Sequence, residues 1–152
     1  MNHKIKIHFI KIFQKTVFKL KQVCYHYSRK KEKIKGGICM ASVQAVCNTF
    51  LLKSFTESER VPITPMKLQK LTYFAYRDYL QKTGQKAFND SIQTWKYGPV
   101  VQSMYDEFKS FKANPITRFA RDAQDKVYVV IEPALKDCID KAAKCGGFVL
   151  GT

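Results

Sequence analysis

The stretch Thr64-Pro-Met-Lys-Leu-Gln-Lys-Leu-Thr-Tyr-Phe-Ala-Tyr-Arg-Asp-Tyr-Leu-Gln-Lys-Thr-Gly84 decides the fold. Thr64 supplies an N-cap, and Pro65 suits a first helical turn, where its missing N–H is no loss. Gly84 sits where such a helix stops. At about 100° per residue from Lys67, Leu71, Ala75, Leu68, Tyr79, Thr72, Tyr76, Leu80, Tyr73 and Met66 cover an arc from about 40° to about 260°. That arc is far wider than an ordinary apolar stripe, so the helix is expected to be central. Two residues break the pattern. Gln69 lies at about 200°, inside the arc, and burial there obliges it to find a hydrogen-bond partner. Phe74 lies at about 340° among Lys70, Arg77, Gln81 and Asp78. Two readings of Phe74 stand open: another element covers it, or it is an aromatic anchor exposed for a partner protein. Lys67, Lys70 and Arg77 form a modest basic stripe, either a solvated face or a surface for an acidic partner.

Working outward, Val43, Val46, Cys47, Phe50 and Leu51 recur at spacings of three and four and predict an amphipathic helix over 41–55. Residues 57–60 read as a polar connection. Downstream, 85–98 reads as a connection holding the single tryptophan, Trp95, and Pro99 as the opening of another helix. Val100, Val101, Met104, Tyr105, Phe108 and Phe111 share about 140° of that helix, and Pro115 stops it. A turn at 122–125 precedes Lys126-Val-Tyr-Val-Val-Ile131, a short β-branched run expected to be a strand. Pro133 begins a last helix with Leu135, Cys138, Ile139 and Ala142 inward, ended by Gly146-Gly147. The predicted fold class is mainly α: a compact helical domain with a small β element near 126–131.

Composition narrows the function. A chain of 152 residues makes one domain of ordinary size. Its net charge of +15 is uneven: residues 1–39 hold 11 basic residues and one acid, which leaves +5 for 40–152. That body is too weakly basic to force phosphate binding, so nucleic acid is not the expected partner. Lysine or histidine breaks every apolar run near the N-terminus, which excludes a signal peptide and a membrane span. All three histidines (His3, His8 and His26) lie in the first 39 residues. The body therefore has no imidazole for a Ser–His or Cys–His pair or for a histidine metal site. No phosphate-binding glycine loop or metal-ligand spacing is present, and Asp106-Glu107 diverge by about 100° on a helix. No catalytic residue, metal or cofactor is expected, and the protein is read as a non-enzyme. Five cysteines without a C-x-x-C pair suit a reducing cytoplasm, with Cys47 and Cys138 as buried thiols. The basic leader 1–39 is expected to lie outside the fold. Lys35-Gly36-Gly37-Ile38-Cys39 can encode a ribosome-binding sequence just ahead of Met40, the expected true start.

Two stretches carry a resemblance. Ile63-Thr-Pro-Met-Lys-Leu-Gln-Lys-Leu-Thr-Tyr-Phe-Ala-Tyr76 resembles the central signature of the Panacea antitoxin domain, the family of SocA-like and phage-associated GepA-type proteins. Trp95-Lys-Tyr-Gly-Pro-Val-Val101, followed by Tyr105-Asp-Glu-Phe108, resembles its second signature, and the similarity runs over about 41–139. The resemblance implies an antitoxin that neutralises a cognate toxin by direct protein–protein binding. In one branch it also implies an adaptor that hands the toxin to a protease such as a Clp-type unfoldase. The alternative is a nucleic-acid-binding regulator of a prophage or toxin–antitoxin operon. Gln69, Tyr73, Tyr76, Trp95, Tyr97, Gly98 and Pro99 match the signatures and are read as scaffold, with Trp95 packing on the central helix. Lys67, Lys70, Phe74 and Arg77 are the candidate partner-binding residues.

The sequence departs from that family at both ends. The leader matches nothing in it, and the family continues past the Pro133 helix where this chain stops at Thr152. C-terminal truncation by a frameshift is therefore expected.

Overall fold

The computed structural model describes residues 40–56 and 61–145, all within one unit that spans 39–152. The basic leader, its proposed boundary at Met40, the 57–60 connection and the Gly146-Gly147 stop lie outside or at the edge of that description. Helix α1 (Val43–Thr56) buries all five residues of its predicted stripe. Helix α2 (Pro65–Thr83) begins and ends as its caps require. The Thr64 hydroxyl accepts from the Lys67 N–H, and Gly84 adopts φ 71° while its N–H donates to the Leu80 carbonyl at 2.8 Å. A side chain at that left-handed position would be strained.

The chain then makes an antiparallel hairpin of β1 (Ile92–Trp95) and β2 (Gly98–Val101), followed at once by helix α3 (Gln102–Phe108) and a 3₁₀ turn at Lys109–Phe111. An irregular segment leads to helix α4 (Pro133–Cys145), with Leu135, Cys138, Ile139 and Ala142 buried as expected. Both oxygens of Glu132 accept from the first turn of α4, from the N–H groups of Ala134 and Leu135. Helix α2 packs most extensively on α4, and α1 contacts α2, α3 and α4. Phe50, Phe88 and Phe108 are the largest fully buried side chains of this core. At its rim α4 is tied to α2 by Lys141–Asp78 (3.0 Å) and Lys82–Asp137 (3.5 Å), and to α1 by Lys53–Asp140 (3.0 Å). The mainly α fold class holds.

The β element is not where the sequence suggested. Lys126–Ile131 has no ladder partner among the described residues, and side chains of α1 take two of its backbone groups. Asn48 Nδ2 donates to the Tyr128 carbonyl at 3.0 Å, and the Val130 N–H donates to Thr49 Oγ1 at 2.8 Å. Asn48 also clasps Ala120, donating to its carbonyl (2.9 Å) and accepting from its N–H (2.8 Å). The turn at 122–125 forms as read, with Asp122 accepting from the N–H groups of Gln124 and Lys126. The actual strands occupy the predicted 85–98 connection and the first turn of the helix assigned to Pro99. Pro99 lies within β2, and α3 starts three residues later.

Candidate interaction face

Gln69 meets the requirement that its position imposed. Its Nε2 donates to the Val101 carbonyl at 3.1 Å and its Oε1 accepts from the Val101 N–H at 3.0 Å. The buried amide thus holds the end of β2 against α2. Gly98, at φ 116°, allows the chain to reverse after Lys96-Tyr97, a backbone conformation that L side chains rarely adopt. Tyr76 is half-buried, its ring centre 4.9 Å from that of Phe88. Tyr73, also half-buried, lies beside Phe74.

Two residues read as scaffold stand at the surface instead. Trp95 does not lie on α2 as expected: its ring meets Tyr105 edge-on at 5.0 Å, and its Nε1 donates to Gln93 within β1. It remains 38% exposed, because pairing with Gly98 sets it at the hairpin tip. Tyr97 occupies the turn itself, 70% exposed, with the Lys96 ammonium 5.4 Å from its ring centre.

Of the four candidate contact residues, Lys70, Phe74 and Arg77 are exposed and Lys67 is half-buried in the first turns of α2. No described element covers Phe74, which is 42% accessible. The Arg77 guanidinium lies 5.2 Å from its ring centre while also donating to Asp78. Asp78 receives Lys141 as well, and the hydrogen bond from Lys141, helped by that from Arg77, holds its carboxyl below the usual carboxylate range. The apolar arc is narrower than drawn on this side: Met66 and Leu80 are also exposed. The face therefore presents Met66, Lys70, Phe74 and Arg77 together, apolar area set among cations.

The match to known families covers the same elements. The family described as "Antitoxin SocA-like, Panacea domain" matches residues 68–143, from the second turn of α2 nearly to the end of α4. The chain belongs to this Panacea-domain family. The Panacea-domain core is thus α2, the hairpin, α3 and α4, with Gln69 and Val101 both inside it. A curated relative, Antitoxin SocA of Caulobacter vibrioides (strain NA1000 / CB15N), is 30% identical over 92 residues, which cover 59% of this chain and 48% of that protein. The chain thus spans about half the length of the curated relative it matches. No solved structure matches it significantly. No helix among the described residues is long and apolar enough to cross a membrane.

Sequence reasoning missed the hairpin and the bonds that Asn48 and Thr49 of α1 make to the segment before α4. The signal for the first was Trp95-Lys-Tyr-Gly98, two residues and a glycine after an uncharged run. For the second it was Asn48-Thr49, polar residues set among apolar ones on a helix, the same anomaly that flagged Gln69.

Proposed function

We propose that the chain is an antitoxin that neutralises a cognate toxin by direct protein–protein binding, through the α2 face that carries Lys67, Lys70, Phe74 and Arg77. The exposed Phe74 under the Arg77 guanidinium carries this reading. Aromatic and arginine side chains concentrate interface energy, and a ring already posed by a cation loses little freedom when a partner covers it. Membership of an antitoxin family supports the same reading. In the adaptor form of this function, the toxin bound on α2 is delivered to an ATP-dependent protease.

The test is co-expression with the toxin encoded beside the gene. The double substitution Phe74→Ala, Arg77→Ala should abolish growth rescue while the circular dichroism of the chain stays unchanged. Full rescue by a folded double mutant would place the toxin on another surface. Toxin half-life with and without the protease separates delivery from simple occlusion. A steep salt dependence of DNA affinity in residues 40–152 would instead favour an operon regulator.

A further inference from the structure

The two outer edges of the β1–β2 hairpin differ in kind. The N–H and C=O of Val101 go to Gln69, and so point away from β1. Val101 stands opposite Ile92, which makes this a non-hydrogen-bonded pair of the antiparallel ladder. Pair types alternate along such a ladder, so Thr94 opposite Pro99 is another. A proline fits there because the position needs no donor toward the partner strand. The edge of β2 is thereby closed, at Val101 by a side-chain amide and at Pro99 by the missing N–H.

In β1 the same alternation turns the N–H and C=O of Ile92 and Thr94 outward, and among the described residues no hydrogen bond reaches them. Natural edge strands are commonly guarded by a charge, a proline or a bulge. Ile92-Gln-Thr-Trp95 has none of these. Next to the open edge, Trp95 and Tyr105 leave an aromatic surface, 38% and 41% exposed, on the hairpin face opposite Ile92 and Thr94.

We propose that β1 receives an extended segment of the partner protein as a third strand, paired to the main chain at Ile92 and Thr94. The proposal rests on the reading that this chain binds a protein toxin, and it names the form that part of that toxin takes. The unpaired groups demand extended backbone, since only a strand offers donors and acceptors at that spacing. The uncharged strand and the Trp95–Tyr105 pair select an uncharged segment with an apolar or aromatic side chain on that face.

The experiment uses the full chain and the toxin encoded beside its gene. Thr94→Pro deletes an outward N–H and no ladder bond, mirroring Pro99 across the hairpin. It should weaken binding about tenfold or more, one hydrogen bond and a steric block, while Trp95 emission and circular dichroism are retained. In the wild-type complex the Ile92 and Thr94 amides should exchange about tenfold more slowly than in the free chain. Folded Thr94→Pro protein that binds as the wild type does, with both amides exchanging unchanged, overturns the proposal. If Thr94→Pro unfolds, amide exchange in the wild type decides alone. Slowing of the same amides in a concentration-dependent dimer of the chain by itself would make a second copy the occupant, and also overturns it. A wild-type chain that binds no toxin defeats the antitoxin reading itself, a result distinct from binding that leaves the edge untouched.

Discussion

Gln69 and Val101 are joined by two hydrogen bonds through one side-chain amide, at 3.1 and 3.0 Å, across 32 residues of sequence. The pair links helix α2 to the hairpin inside the buried part of the domain. Gln69→Leu keeps the volume and leaves both Val101 groups without partners. It should cost about 2–4 kcal/mol, read as a drop in the urea midpoint, from two orphaned backbone groups. A loss under about 0.5 kcal/mol would mean that water replaces the amide.

Thr49 makes the corresponding test in α1. Its hydroxyl accepts the Val130 N–H and donates to the Ala45 carbonyl. Thr49→Val preserves the shape and removes the acceptor, and should destabilise the fold by roughly 1–3 kcal/mol. Amide exchange at Val130 should accelerate more than exchange in α2, which separates local release from global loss.

The helices were legible because their signals are local. Thr64, Pro65 and Gly84 announce α2 within one stretch, and the apolar spacing of α1 and α4 needs no partner to be read. The hairpin was not legible, because Gly98-Pro99 states a turn followed by a helix as readily as a turn followed by an edge strand. Lys126–Ile131 misled for a different reason. Its composition is that of a strand, but its Tyr128 carbonyl and Val130 N–H are met by side chains about 80 positions earlier, and propensity carries no information about them. On the candidate face, periodicity marked Phe74 as anomalous, while only the packing decides that nothing in the described fold covers it.

Trp95 is half outside the core, so Trp95→Ala should cost about 1–2 kcal/mol, less than the roughly 3–5 of a fully buried aromatic. Thermal unfolding measures it. A larger loss would show that the Tyr105 contact anchors the whole hairpin.

Asp78 gives an acid-dependent contribution. Its folded carboxyl is held below its ordinary value, first by the hydrogen bond from Lys141. The stabilisation is therefore present above the unfolded carboxylate value near about 3.9 and fades as pH falls through the lower folded value. Asp78→Asn should lose about 0.5–1 kcal/mol at neutral pH, because Lys141 and Arg77 are largely solvated. As pH falls through the folded value the wild type and the variant should converge, as a series of urea midpoints from neutral to acid pH would show.

Thiol chemistry checks the placement of α1 and α4. Burial pushes the Cys47 and Cys138 thiols up, whereas Cys145 is exposed near the end of α4. Among these three, iodoacetamide at neutral pH should modify Cys145 first, and Cys47 only on unfolding. Peptide mass mapping reads the order. Early modification of Cys47 would contradict its position in the core.

The grip of Asn48 and Thr49 is on main chain alone, at Ala120, Tyr128 and Val130. Any residue except proline offers the same N–H, and every residue offers the same carbonyl. The outward side chains of the long crossing before α4 are thus released from specifying its path, and can be exchanged during divergence while the backbone route is inherited from two positions on the first helix.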